Sequence, residues 1–247
     1  MRALARTTAQ SPTTYTRLAR SLGFAGWDDL RAELIAEARD DLDAARAAPF
    51  SSRPRPASNG DDVATRMLAV DQRSLAALDT PALEPAAAIL ESAPRVFVAG
   101  FRSCHAPAIH FHYLYRLFRP EVTLIGGAGA LDLDLGDLRD GDAVLLFGFA
   151  PYSRDGLLTA RSAVAAKARL VALVDHADAP LARQADAVLT FGTGTPSFFP
   201  SLTACTALLQ ALAETLYLRA GDTGRQRLRA SERRIAAHTA YISEAAP

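Results

Sequence analysis

The chain has 247 residues, 49% of them hydrophobic, and its 27 basic and 27 acidic side chains cancel to a formal charge of zero. That is enough for one substantial core and a small satellite domain, and it excludes a globally basic nucleic-acid binder. No stretch approaches the roughly 18 to 20 uninterrupted apolar residues of a membrane span, and the opening MRALARTTAQ lacks the apolar block of a secretory signal, so a cytoplasmic location is expected. Cys104 and Cys205 follow no metal-finger spacing and are too few for a disulfide framework, which leaves free thiols in a reducing compartment.

Charge is unevenly spread along the chain. From Met1 to Phe24, Arg2, Arg6, Arg17 and Arg20 stand without an acid. Residues 1–46 read as helices. Within them Ser11 is a good N-cap, Pro12 suits the first helical position and Gly23 suits the C-terminal cap. Tyr15, Leu18, Ala19 and Leu22 fall at i, i+3, i+4 and i+7, the spacing of a buried helical face. The other face carries Thr13, Thr14, Thr16, Arg17 and Arg20. Short hydroxyl side chains near a helix N-terminus and arginines further along are what a recognition helix uses in a DNA major groove. On pattern alone, a merely solvated face is the alternative.

Residues 47–60, AAPFSSRPRPASNG, have no apolar period and read as a linker. Residues 61–247 then read as one domain. Helices are expected over 61–79 and 82–92, followed by strands over 95–100, 121–127, 142–149, 168–175 and 185–192. Helices near 104–118, 153–167 and 178–184 lie between the strands, and two more, 201–219 and 224–242, close the chain. Short apolar runs linked by helical crossovers predict an α/β fold: a three-layer sandwich around a five-stranded parallel sheet, preceded by a small all-α unit.

Ligands bind at the carboxyl ends of such strands. Two strand-turn-helix segments there are distinctive. In VAGFRSCHAPA, Gly100 ends the strand and a helix opens near Ser103, so backbone N–H groups could hold an anion and Arg102 could offer it a guanidinium fork. The segment lacks both the P-loop lysine and the second glycine of a dinucleotide-binding fingerprint. The second, LLFGFAPYSRDGLLTA, sets Ser153 at a helix start with Arg154 beside it. Cys104, His105, His110 and His112 lie close in sequence but lack the i, i+4 spacing of a zinc pair, so no metal and no cofactor are expected. Ser153, Asp175 and His176 could be imagined as a triad, but no nucleophile elbow is present and no catalytic residue is assigned. Tyr113, Tyr115, Phe111 and Phe118 read as packing residues, and the arginine-rich helix at 224–238 as a solvated face or interdomain contact.

The opening segment resembles the helix-turn-helix of the RpiR/MurR family of bacterial transcriptional regulators. The matching positions are Leu4, Ala5, Ser11, Thr14, Arg17, Leu22, Gly23, Phe24, Gly26, Trp27, Leu30 and Arg31. The resemblance implies a recognition helix over Ser11 to Leu22, with Ser11, Thr13, Thr14, Thr16, Arg17 and Arg20 at the DNA. It also implies a following helix over Trp27 to Arg39 that packs Trp27, Leu30 and Leu34 inward. Family members carry a further helix ahead of the position of Met1, so residues 1–46 would be a partial domain whose Tyr15, Leu18 and Leu22 lack a packing partner. Residues 61–220 resemble the SIS (sugar isomerase) domain that follows the DNA-binding part in that family and senses phosphorylated sugars. In the family's first loop, Gly-x-Gly-x-Ser, this chain has Gly100, Arg102 and Cys104, with Ser103 adjacent. In its second loop, Ser-x-Ser-Gly-x-Thr, only one hydroxyl survives, as Ser153 after Tyr152.

The resemblance thus implies a homodimeric or larger non-enzymatic regulator that binds a pseudo-palindromic operator. It would sense a small anionic metabolite, such as a phosphorylated sugar, through Gly100, Arg102, Ser103, Cys104, Tyr152, Ser153 and Arg154. The alternatives are a sugar-phosphate isomerase and a metabolite-binding module that no longer binds DNA.

Overall fold

A computed structural model of the chain describes residues 12–33, 50, 61–127 and 130–238. The chain divides into two compact units, Met1–Arg53 and Pro54–Pro247.

In the first unit, helix α1 spans Pro12–Ser21. Gly23, at φ +90°, closes it with the left-handed cap its sequence predicts: Gly23 N donates to Arg20 O and Phe24 N to Ala19 O. A second helical stretch over residues 27–33 turns Trp27 and Leu30 toward α1. Tyr15 meets Trp27 edge to face at 5.1 Å, and Ala19 and Leu30 are buried. The apolar face is narrower than the periodicity predicts, because Leu18 and Leu22 remain 48% and 57% exposed. Trp27 and Leu30 cover only the Tyr15–Ala19 side. Leu34 lies outside the described residues.

The second unit opens with α2 (Asp61–Ala76) and α3 (Leu83–Ser92) and then alternates strand and helix. The order is β1 (Val96–Gly100), a 3₁₀ turn (Arg102–Cys104), α4 (His105–Arg116), β2 (Val122–Leu124), α5 (Leu131–Gly136), β3 (Ala143–Gly148), α6 (Arg154–Ala165), β4 (Arg169–Val174), β5 (Ala187–Thr190) and α7 (Thr203–Ala237). All pairings are parallel, in the order β2-β1-β3-β4-β5.

Strand alternation sorts the core into two halves. Val96, Val98, Leu145, Phe147, Val171 and Leu173 face α3, α4 and α7, while Phe97, Ala99, Val144, Leu146, Leu170 and Ala172 face α6 and the turns after β4. Both faces are therefore covered, as all-parallel sheets require, and the result is a three-layer sandwich.

Three details differ from the sequence reading. Residues 178–184 form successive turns instead of a helix, with Ala179 N donating to His176 O, Ala182 N to Ala179 O and Ala185 N to Ala182 O. Pro180 has no N–H to continue a helix and disfavours the α conformation of Ala179. The two closing helices run together as α7, broken only at Gly221, whose φ of 53° and ψ of −136° are non-helical. The short α5 has no counterpart among the expected helices; Asp134 there accepts a 2.6 Å hydrogen bond from Gly126 N, which fixes the turn after β2.

Candidate functional site

Strand order reverses between β1 and β3: the chain leaves β1 through α4 toward β2 and leaves β3 through α6 toward β4. Outside the carboxyl ends of these two strands such a sheet opens a crevice. Gly100 pairs with Phe147, so the loops carrying the predicted ligand residues leave the sheet side by side.

The first loop folds straight back on its strand. A Cβ on Gly100 would lie 2.2 Å from Cys104 O and 2.9 Å from the Ala108 Cβ, so only glycine permits the turn. His105 Nδ1 lies 3.2 Å from Gly100 O and, as the protonated nitrogen, donates to it. Arg102 adopts φ +55°, the left-handed conformation that suits glycine, and its side chain is exposed. Ser103 is half-buried, whereas Cys104 is only 4% exposed. Burial pushes the Cys104 thiol up to about 12, opposed by a backbone hydrogen bond from Phe149 and reinforced by the nearby Asp175 carboxylate. Cys104 is thus a neutral, inward thiol at the seam between the loops.

The second loop is braced from beneath. Gly148 packs against Leu181, where a Cβ would come within 2.3 Å of a side-chain methyl. The Ala150–Pro151 peptide is cis. Ser153 caps α6, its hydroxyl oxygen accepting from Gly156 N at 3.0 Å, so its O–H is the part left for a ligand. Arg154 is exposed at the first turn. Tyr152 points its hydroxyl at the end of β4: it donates to Asp175 Oδ1 and lies 3.1 Å from His176 Nε2, which therefore donates to the phenol oxygen. Ala150 N donates to Asp175 Oδ2 at 3.3 Å. The Asp175 side chain is 3% exposed and that of His176 17%.

The structure places Gly100, Arg102, Ser103 and Cys104 on one loop and Tyr152, Ser153 and Arg154 on another, leaving adjacent strands at their carboxyl ends. It adds Asp175 and His176, which the sequence reading weighed only as partners of Ser153. Ser153 serves as a helix cap, and Asp175 and His176 meet Tyr152 instead. The signal for them was their position, immediately after a buried strand in VALVDH. Chemically, the two loops carry two exposed arginines and a helix N-terminus, groups that suit an anion, and the buried Asp175 carboxylate holds the second loop in place.

On α1, Thr13, Thr14, Arg17 and Arg20 are exposed and Thr16 is half-buried; Ser11 lies outside the described residues. Among the described residues, no three His, Cys, Asp or Glu side chains are grouped to hold a metal ion. None of the described helices is long and apolar enough to cross a membrane.

The SIS domain model matches residues 89–215. Comparison with curated protein sequences gives no match. The fold is similar to that of the sugar isomerase domain of an RpiR transcription factor from Sphaerobacter thermophilus, with a TM-score of 0.65, 22% identity and coverage of 70% of this chain and 99% of that one. It is also similar to the Vibrio vulnificus NanR protein complexed with ManNAc-6P, with a TM-score of 0.62, 16% identity and coverage of 96% of this chain and 85% of that one. A protein of Escherichia coli CFT073 in complex with A5P gives a TM-score of 0.54 at 17% identity, covering 64% of this chain and 92% of that one.

Proposed function

This chain belongs to the SIS domain family, and from that premise we propose that it is a transcriptional regulator: it binds DNA through its N-terminal helices and senses a small anionic metabolite, a phosphorylated sugar, at the crevice between β1 and β3. It acts without catalysing a reaction. The observation that carries the reading is α1, which packs Tyr15 and Ala19 inward and leaves Arg17 and Arg20 in solvent ahead of a SIS domain. The similarity to NanR supports it, since that alignment spans 96% of this chain and that protein was captured with ManNAc-6P.

One short helix reads few base pairs, so two copies acting on paired half-sites are the working form. Ligand in the crevice would change how the two copies hold their recognition helices.

The test is selection of duplexes from a random library by the full chain, followed by anisotropy titration of the enriched sequence. The double variant Arg17→Ala, Arg20→Ala should bind at least about tenfold more weakly, each base or phosphate contact being worth about 1–3 kcal/mol. Hexose 6-phosphates should shift the wild-type isotherm. No enrichment, or equal binding by the double variant, refutes the DNA-binding half of the proposal.

A second reading rests on His176, an imidazole hydrogen-bonded to Tyr152 at the strand ends, which an isomerase could use to move a proton. Aldose-to-ketose conversion of a sugar phosphate that is lost in His176→Gln would favour it.

A further inference from the structure

Away from the crevice, the end of α4 and the second half of α7 enclose a notch of about 130 Å³. At about 30 Å³ per water molecule it has room for roughly four waters, or for one tetrahedral oxyanion. Among the described residues four arginines line it, Arg116, Arg119, Arg227 and Arg234, and no acidic side chain does.

The notch is built, not a chance meeting of surface side chains. Buried Ser231 donates to Leu117 O at 2.7 Å and accepts from Arg234 Nη2 at 2.9 Å, which ties α7 to the end of α4 and fixes the Arg234 guanidinium there. Arg119 spends its terminal nitrogens on neutral acceptors, the carbonyls of Leu90, Glu91 and Ala93 and the Tyr115 hydroxyl. Among the described residues it has no carboxylate partner, and its Nε–H is buried without a hydrogen-bond partner. The Glu91 carboxylate is held elsewhere, by Arg219 at 2.6 Å. Arg116 and Arg227 have no carboxylate partner among the described residues.

Four like charges around one recess are unfavourable unless an acceptor of opposite charge enters. We propose that the Arg116–Arg119–Arg227–Arg234 notch is a second anion site, separate from the β1/β3 crevice, that takes a tetrahedral phosphate: the free ion, or the phosphoryl group of a small metabolite. Planar guanidinium forks match such an oxyanion two oxygens at a time.

The test is calorimetric titration of the full chain with inorganic phosphate and, separately, with glucose 6-phosphate, at ionic strength fixed by sodium chloride. Arg116→Gln with Arg227→Gln removes two exposed cations and leaves the anchoring Arg119 and Arg234 intact; an unchanged melting temperature confirms the fold. Phosphate affinity at one class of site should fall at least about tenfold. The sugar-phosphate arm shows whether the notch also admits an esterified phosphate. Arg102→Ala serves as the control for the crevice. Phosphate binding lost only in Arg102→Ala refutes the notch and leaves the crevice reading standing; binding lost only in the double glutamine variant does the reverse. The notch is also refuted if the wild-type chain gives no phosphate heat, or if chloride displaces phosphate equally well at matched ionic strength.

Discussion

Replacing Arg102 by glycine separates what this position does for the backbone from what it does for a ligand. The residue holds φ +55° in the turn after β1, a conformation that costs an L-residue about 1–2 kcal/mol. Glycine removes that strain but adds about 0.5–1 kcal/mol of unfolded-state entropy. The net change is therefore between about zero and 1.5 kcal/mol of stabilisation. For a chain of this size 1 kcal/mol moves the melting temperature by about 2–4 °C, so Arg102→Gly should melt at the wild-type temperature or up to roughly 6 °C above it. The same change deletes the exposed guanidinium. A hydrogen bond to a charged group is worth about 1.5–3 kcal/mol, so affinity for a phosphorylated sugar in the crevice should fall by about 10- to 150-fold. Differential scanning calorimetry and ligand titration on one preparation read both effects. A melting temperature lowered by more than about 2 °C would show that the arginine side chain stabilises the turn. Unchanged affinity would remove Arg102 from the site.

Three further perturbations test the frame around the crevice. At the amino ends of β1 and β3, Arg95 grips Asp142 through contacts of 3.0 and 2.5 Å, with the Asp142 side chain 1% and that of Arg95 42% exposed. Arg95→Ala strands a buried carboxylate and should cost about 3 kcal/mol, whereas Asp142→Asn leaves a guanidinium that water can reach and should cost about 1 kcal/mol; urea melts showing the reverse order would refute this. Burial raises both Cys104, to about 12, and Cys205, from an ordinary value near 9. The native state thus keeps protons that the unfolded chain releases, so stability is complete below pH 9 and declines as pH rises from there toward 12. Urea melts in which Cys104→Ala has as steep an alkaline decline as wild type would contradict the Cys104 contribution. Finally, Tyr152→Phe takes a donor from buried Asp175 and an acceptor from His176, and should cost about 1.5–3 kcal/mol; a loss under about 0.5 kcal/mol would show that the cluster does not brace the loop.

The sheet was legible because its chemistry is local. RVFVAG, DAVLLFGF and ARLVALVD are short apolar runs between helical patterns, and each forms a strand within one or two residues of its predicted ends. Turn residues were equally readable: Gly23 and Ser153 cap the helices that their positions imply. Residues 178–184 misled because a buried Leu181 mimics a helical period, while Pro180 decides the backbone. The site was legible only in outline. Sequence shows which loops leave the strand ends, but not that Asp175, from a third strand, reaches under the second loop, nor that Ser153 spends its acceptor on Gly156 N. Those facts depend on the approach of segments more than 20 residues apart or on a cap's exact hydrogen bond, which composition does not encode. Periodicity names the Tyr15, Leu18 and Leu22 face but not what covers it: Leu18 and Leu22 are exposed, as the missing packing partner implied, whereas Tyr15 meets Trp27.

The break in α7 gives a residue without a side chain control over where two charged ones, Arg227 and Arg234, meet two others. At φ 53° and ψ −136°, Gly221 occupies backbone space closed to L-residues and redirects the helix just before Arg227, Ser231 and Arg234. Alanine there would favour one unbroken rod, whose far half would aim along the axis of Thr203–Ala220 instead of settling on Leu117. The arginine notch is thus the by-product of a single pair of torsion angles. Chains that keep every arginine but lose this glycine should keep the charge and lose the cup.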